Sequence, residues 1–277
     1  MCLIERYLKN YITKDNISFF QVNDYETELA YGAIFNNKIY EDDTIVVNEN
    51  DVIVDIGANI GLYPLYLYSE KNLKNLNIYC FEPSYVAYNV LEKNMKLYFE
   101  NAALHKVGIS DKKGYEEFAI YPNFTIGSAS LELSSWGEKM FRDNIIGKVT
   151  KGKNFELNNS HFKYIDKLTK IYMQQEIVKC PVETISDVIR VNGINRIDVL
   201  KINAENSEWK ILQSINNEDW DIIRQLIIEV HDEEDMYLHK IKELLVQKGY
   251  HVTYREDVVN PDSDLKVYLI YASKVAS

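Results

Sequence analysis

A chain of 277 residues, 46% of them hydrophobic, carries enough apolar material for a sizeable core, which excludes intrinsic disorder. Its 31 lysines and arginines face 42 aspartates and glutamates, a formal net charge of -11, and no basic run interrupts that balance, so nucleic-acid binding is not expected. Cys2, Cys80 and Cys180 lack metal-site or disulfide spacing, and no apolar run nears membrane-spanning length or forms a signal-peptide core, so the chain reads as soluble and cytoplasmic with no membrane partner.

Residues 1–44 form a tyrosine-rich lead-in with helical apolar spacing over 26–35, read as an extension packing on the core. Residues 45–277 read as one domain with an α/β rhythm. Residues 51–56 make a short apolar strand ending in a glycine-bearing turn, and 61–68 open a helix. A second strand is predicted at 77–81, a helix at 85–99 and a third strand at 102–109. The alternation over 116–121 predicts an added strand or hairpin. Over 122–173 the chain turns polar and rich in Asn and Lys for longer than a simple loop, which reads as an insertion acting as a lid. The rhythm returns at Val178, with a helix at 185–191, a buried strand at 197–202 and a helix at 207–215. An apolar central strand follows at 222–230, then a helix at 237–248 stopping at Gly249. Segments 250–254 and 265–271 are expected to close the sheet as an antiparallel pair. This alternation implies a mainly parallel sheet with helices on both faces and ligands at the carboxyl ends of its strands.

The strongest motif is Val52-Ile53-Val54-Asp55-Ile56-Gly57-Ala58-Asn59-Ile60-Gly61, a strand running into a turn with two glycines before a helix. Glycine permits the tight turn and a close approach of backbone to ligand. Glu82, at the end of the second strand, is placed to accept hydrogen bonds from both hydroxyls of a ribose. A dinucleotide site prefers G-x-G-x-x-G and sets a pyrophosphate at the helix start, where Asp55 would repel it. Beside the ammonium and sulfonium of S-adenosylmethionine the same carboxylate is favourable, so charge selects the methyl donor. A bare strand-turn-helix corner and a dehydrogenase are the competing readings.

The second constellation runs from Asp198 to Glu208, a hydrophobic strand with polar groups at its carboxyl end. Lys201, Asn203 and Glu205 share one side if the strand persists that far. Glu208 reads as an acidic helix start, with Ser207 or Asn206 as cap. The third is Glu229-Val230-His231-Asp232, where a buried strand ends in an imidazole suited to take a hydroxyl proton. Glu229 is a candidate to orient a neighbour, although it points to the other face from Val230. His105, His161, His239 and His251 have no such setting and read as surface or packing residues. A metal held by His231, Asp232, Glu205 and Asn203 competes, without diagnostic spacing.

The ordered set Asp55–Gly61, Phe81-Glu82-Pro83, Gly127-Ser128-Ala129-Ser130-Leu131, Lys201–Glu205 and Glu229–Asp232 resembles the FkbM family of methyltransferases over residues 45–272. The segments Glu26-Thr27-Glu28-Leu29 to Tyr40 and Tyr121-Pro122-Asn123 are similar to the branch found within or beside nonribosomal peptide and polyketide synthases. The resemblance implies a Rossmann-like class I methyltransferase fold with a mainly parallel seven-stranded sheet, S-adenosylmethionine as donor and usually an oxygen acceptor. It places Asp55, Gly57 and Gly61 at the cofactor's amino acid end, Glu82 at the ribose, and Gly108, Ile109 and Ser110 near the adenine, with Asn59, Pro83 and Asn203 as further cofactor-binding residues. Where the family typically reads Lys-Ile-Asp-Val-Glu this chain has Asn203, and the frequent following glycine is Asn206. An amide is neither a base nor a good metal ligand, which makes a metal unlikely and shifts the catalytic role to His231.

The expected reaction is in-line methyl transfer to a hydroxyl of a small-molecule or carrier-bound natural-product intermediate, a peptide or polyketide. His231 acts as base, and Glu205 and Lys201 orient or polarise the acceptor. Tyr121, Phe124, Trp136 and Phe141 of the insertion are candidates to line an apolar pocket, or to pack. A sugar, nitrogen or carboxylate acceptor, and a catalytically silent cofactor-binding module, are the alternatives.

Overall fold

The computed structural model describes residues 9–12, 17–131, 138, 141–142, 145–147, 157–232, 236–256 and 266–274. A short hairpin, β1 (Lys9–Ile12) with β2 (Ser18–Gln21), precedes α1 (Asp24–Tyr31). Asn23 starts that helix by accepting the Glu26 N–H at 3.0 Å, and from Gly32 the chain widens into a π turn to Asn36, so the helix expected over 26–35 begins earlier and changes pitch midway. The α/β succession follows with β3 (Val52–Ile56), α2 (Leu62–Ser69), β4 (Asn77–Phe81), α3 (Tyr85–Tyr98) and β5 (Ala103–His105). Next come β6 (Gly108–Ile109), β7 (Gly114–Ile120), β8 (Ala129–Ser130), α4 (Asn159–Tyr172), β9 (Glu176–Glu183) and α5 (Ile185–Asn192). The chain continues through β10 (Val199–Ile202), α6 (Glu208–Gln213), β11 (Gln225–His231), α7 (Tyr237–Gln247), β12 (Tyr250–Glu256) and β13 (Val267–Lys274).

Seven strands form the main sheet in the order β12-β13-β11-β10-β3-β4-β5. The pairs from β11 to β5 are all parallel, and β13 runs antiparallel to both of its neighbours. The period of two splits the core into two layers. Ile53, Val199, Ile227 and Leu269 face one side, where they pack with Leu65 and Tyr66 of α2 and with Phe19, Phe35 and Tyr40 of the lead-in. Val54, Leu200, Ile202, Ile228 and Val230 face the other, against α5, α6 and α7. Strands buried on both faces read as unbroken apolar runs, the pattern of a covered parallel sheet.

Residues 102–109 do not make one strand. β5 stops at His105, and β6 joins a second sheet of order β6-β9-β7-β8, pairing in parallel with β9. At the transfer Gly108 is tightly packed, since a Cβ there would lie 2.7 Å from Cζ of Phe118. Of the inserted region, a short 3₁₀ turn at Thr125–Gly127, β8 and α4 are described. Phe124 and Phe141 are fully buried and pack edge-on at 5.1 Å, with Tyr25 of α1 against Phe141 at 5.5 Å. Tyr121, Phe124 and Phe141 thus serve as packing rather than pocket lining, and Trp136 lies outside the described residues.

Candidate active site

The turn after β3 is held from three sides. The Gly57 and Ala58 N–H groups donate to the Phe81 carbonyl at 3.0 and 3.1 Å, tying the turn to the end of β4. Gly57 has φ +68°, and a Cβ on it would lie 1.7 Å from the Asn203 carbonyl oxygen, so this glycine lets the ends of β3 and β10 touch. Gly61, φ +86°, begins α2 where Met95 and Leu91 of α3 crowd it. The two glycines of the motif therefore answer to packing, and the ligand-facing part of the turn is Gly57 and Asn59.

An open cleft of about 630 Å³, solvent mouth included, lies at the carboxyl ends of β3, β4 and β10. Gly57, Asn59, Glu82, Pro83, Gly108, Ile109, Asn203 and Glu205 all line it, and Phe118, Thr125, Ile126 and Ser128 close it from the second sheet and the inserted segment. Glu82 is buried in the wall, its Oε1 accepting the Ser84 N–H and its Oε2 the Asn59 N–H, both at 2.8 Å. Burial pushes its carboxyl up to about 7 although those two bonds pull the other way. The Asn59 side chain donates to Thr125 Oγ1 at 3.0 Å, and Glu26 of α1 accepts from that same hydroxyl at 2.9 Å and from the Thr125 N–H at 2.6 Å.

Five expected site residues lie outside the lining, among them Gly61, which the start of α2 packs away against α3. Asp55 is fully buried, and its Oδ1 pairs with Lys201 Nζ at 2.9 Å, so no free carboxylate stands where the charge argument placed one. Register explains this, since Lys201 of β10 lies directly beside Asp55 of β3. Lys201 also donates to the Gly57 carbonyl at 3.0 Å; it braces the turn instead of reaching an acceptor. Ser110 is buried beside Glu116, to which it hydrogen-bonds, so the adenine expectation is left with Gly108 and Ile109. His231 is buried behind Glu205.

Around His231 three carboxylates converge. Its Nδ1 is 3.1 Å from Glu208 Oε1, and its Nε2 is 3.5 Å from Glu205 Oε2 and 3.9 Å from Glu229 Oε1. Burial opposes the charged ring, but Glu205 and Glu208 outweigh it and push the pKa up to about 10. Carboxylates that favour the charged ring, and its place behind Glu205, do not suit the base role expected of His231. Burial, with repulsion from Glu229 and Glu208, raises Glu205 to about 8 against the pull of His231. Glu205 does not extend the β10 alternation, because the strand ends at Ile202 and the chain turns through left-handed φ values of +45° at Glu205 and +72° at Asn206. Asp232 accepts the Met236 and Leu238 N–H groups at 2.9 and 2.8 Å at the start of α7, so the four residues of the metal reading do not converge. Among the described residues no group of three or more His, Cys, Asp or Glu could hold a metal ion.

Glu208 and Tyr40 escaped sequence reasoning as participants, whereas Glu229 was expected to orient a neighbour. Glu208 reads equally well as a helix-start acid, and only the packing of β11 on α6 reveals its bond to His231. Glu229 shares the His231 side by the period of two, a signal present in the sequence. Tyr40 carries no local signal; it arrives from the lead-in and donates to Glu229 Oε2 at 3.0 Å.

A mainly parallel sheet with one antiparallel strand next to its edge, and a cleft at the carboxyl ends of its central strands, define a class I methyltransferase architecture. Residues 55–252 match the Methyltransferase FkbM domain, and the chain belongs to that family. It is 30% identical over 246 residues to AMB antimetabolite synthetase AmbE of Pseudomonas aeruginosa, a match spanning 86% of this chain and 11% of that much longer protein. It is 28% identical to 31-O-demethyl-FK506 methyltransferase FkbM of Streptomyces tacrolimicus, covering 85% of this chain and 86% of that one. The crystal structure of methyltransferase FkbM from Methylobacillus flagellatus KT superposes with a TM-score of 0.52 at 12% identity, covering 97% of this chain and 56% of the other, which establishes the shared fold. No helix among the described residues is long and apolar enough to cross a membrane.

Proposed function

We propose that this chain is an S-adenosylmethionine-dependent O-methyltransferase acting on a hydroxyl of a natural-product intermediate. The observation that carries the reading is the pair of buried carboxylates in the cleft wall, Glu82 on one side and Glu205 on the other. The residues present fit the cofactor. Glu82 retains acceptor capacity beyond its two backbone bonds and suits a ribose diol. Gly108 and Ile109 beside Phe118 offer a flat apolar slot for a base, and the buried, unpartnered Oδ1 of Asn203 next to Gly57 suits an ammonium group.

When bound, the cofactor supplies an electrophilic methyl on a sulfonium. Transfer to an acceptor oxygen breaks the carbon–sulfur bond, forms the carbon–oxygen bond and releases the hydroxyl proton. Glu205, in its carboxylate form, is the cleft-lining group able to receive that proton, and His231, held by Glu208, is the buried cation that stabilises this carboxylate before the transfer. Tyr40, Asn203 and Glu229 hold the floor beside them. The names of the FkbM and AmbE relatives support a secondary-metabolite acceptor.

Calorimetric titration with S-adenosylhomocysteine tests the cofactor assignment, with NAD as control. Micromolar binding that Glu82→Gln weakens about tenfold, and no heat with NAD, is the expected result. A folded protein indifferent to S-adenosylhomocysteine would overturn the assignment. Binding without methylation of any hydroxyl acceptor would favour a silent cofactor module.

A further inference from the structure

Two segments that narrow the resemblance, the one opening at Glu26 in the lead-in and Tyr121-Pro122-Asn123 in the inserted region, have no part in the proposed chemistry. They meet at the rim of the cleft. The Asn23 side chain, which caps α1, donates to the Asn123 carbonyl at 3.0 Å. The Tyr25 ring packs against Phe124 with centroids 6.3 Å apart. Glu26 accepts the Thr125 N–H through Oε2 at 2.6 Å and the Thr125 hydroxyl through Oε1 at 2.9 Å. The start of α1 thus grips residues 123–125, and Thr125, Ile126, Ser128 and Ala129 go on to line the cleft. Among the described residues none of the lead-in lines it.

The 3₁₀ turn Thr125–Gly127 follows Phe124, which supplies no side-chain cap. The first N–H groups of a helical turn have no partner within it. Glu26 takes one of them from 99 positions away in the chain. The Thr125 hydroxyl, donating to Glu26, accepts in turn from the Asn59 amide at 3.0 Å. Asn59 Oδ1 accepts the Ile60 N–H at 2.9 Å, which fixes the orientation of that amide, and the Asn59 N–H donates to Glu82 at 2.8 Å. A line of hydrogen bonds therefore runs Glu26–Thr125–Asn59–Glu82, from the lead-in to the residue proposed to hold the ribose. Glu26 and Thr125 are 1% and 3% exposed, so solvent does not compete for their link.

We infer that Glu26 is a positioning residue for cofactor binding: it caps the Thr125 turn from the lead-in, sets the cleft wall that follows, and through Thr125 and Asn59 steadies Glu82. The ligand half of this inference rests on the proposed cofactor; the hold on the wall does not. Contiguous polar contacts of this kind shift a distant affinity by about two- to thirtyfold. The lead-in is then part of the binding unit although it contributes no lining residue.

The test compares Glu26→Ala, Glu26→Gln, Thr125→Val, the pair Glu26→Ala with Thr125→Val, and Tyr98→Phe. The last loses the phenol bond to the Ser18 carbonyl and so loosens the lead-in away from the line. Each protein is titrated with S-adenosylhomocysteine, and hydrogen exchange of residues 57–61 and 123–131 is followed without ligand. Glu26→Ala should weaken S-adenosylhomocysteine about tenfold and speed exchange in both segments. Glu26→Gln keeps an acceptor for the Thr125 N–H and should stay within about threefold of the parent. Thr125→Val should weaken binding about threefold, and the pair should lose no more than about threefold beyond Glu26→Ala, because both changes cut the same line. Tyr98→Phe should leave the affinity within about twofold. Parent-like affinity in Glu26→Ala, or an equal loss in Tyr98→Phe, would overturn the ligand half; should Glu26→Ala not fold, parent-like affinity in Thr125→Val would do the same. Unchanged exchange at residues 57–61 in Glu26→Ala, or in Thr125→Val in its place, would overturn the hold on the wall. If the parent protein ignores S-adenosylhomocysteine, the proposed function falls and takes the ligand half with it, while exchange still decides the hold on the wall.

Discussion

The two walls of the cleft each carry a buried carboxylate lifted by burial, yet they satisfy it by different means. Glu82 is held by two backbone N–H groups, fixed dipoles that neither titrate nor move. Glu205 faces His231, a partner that itself exchanges protons and answers to Glu208 and Glu229. A carboxylate gripped by backbone makes a binding group of constant character. A carboxylate balanced by a titratable cation can change protonation within a reaction cycle, because a proton leaving one member alters the energy of the other. On this contrast the proposed function assigns binding to the Glu82 wall and proton transfer to the Glu205 wall.

The strongest way to break the contrast is to separate the walls. Gly57→Ala should be the most damaging single change, since the added methyl would meet the Asn203 carbonyl at 1.7 Å on a residue with φ +68°. Backbone is on both sides, so relief requires β3 and β10 to part, at a cost of about 3 kcal/mol or more. Urea denaturation should show that loss, and cofactor titration should show none of the parent affinity.

Next in size is His231→Gln, which takes the buried cation from among Glu205, Glu208 and Glu229. Removing one partner of a buried charged group typically costs about 3–5 kcal/mol, and loss of a proton-transfer arrangement costs about 10²–10⁴-fold in rate. Methyl transfer should collapse while the Glu82 wall keeps S-adenosylhomocysteine within a few-fold of the parent affinity. Equal loss of both would show that the walls are not separable.

A subtler probe is pH. Glu205 must lose its proton to accept one from a hydroxyl, and its folded pKa is raised to about 8. Turnover should therefore rise from pH 6 to pH 9 with a midpoint near that value, which belongs to the Glu205–His231 pair and not to either residue alone. Glu205→Gln should lower kcat about a hundredfold and flatten the rise. A profile that keeps the same rise in that variant would return the proton to another group.

How much of this was legible in the chain depends on whether the deciding interaction is local. The runs Val52–Ile56 and Asn77–Phe81 announce themselves because strands covered on both faces are apolar throughout. β13, buried from Val267 to Ala272, was readable from the same patterning. The break after His105 was not, since the apolar character continues to Ile109 and Phe118, which packs on Gly108, arrives from β7. Asp55 looked like a free acid because its partner comes from a strand that enters the sheet much later in the chain; knowing that β10 lies beside β3 would have exposed the ion pair at once. Glu208 was masked by a sufficient local explanation, the helix start, and Tyr40 by having no pattern at all.

The smallest predicted effect lies where the lead-in meets the inserted segment. Glu26 is 1% exposed and accepts two hydrogen bonds from Thr125; burial nevertheless raises its carboxyl from 4.5 to about 7. A folded pKa above the unfolded one means that the folded state binds the proton more tightly. The associated stability is fully present below about pH 4.5 and is lost as pH rises through about 7. Between pH 5 and pH 8 the stability of the parent protein should therefore carry a downward contribution on the order of 2 kcal/mol from this residue, which Glu26→Gln should remove. Glu82 titrates over the same range, so the difference between parent and variant is the quantity to read, not either curve alone. Thr125→Val, which deletes only the hydroxyl shared with Asn59, should cost about 1 kcal/mol. If Glu26→Gln leaves the slope unchanged while Thr125→Val costs as expected, the contact is ordinary packing and Glu26 is ionised in the folded protein; if the slope flattens, the lead-in carries a proton that holds the inserted segment against the cofactor turn.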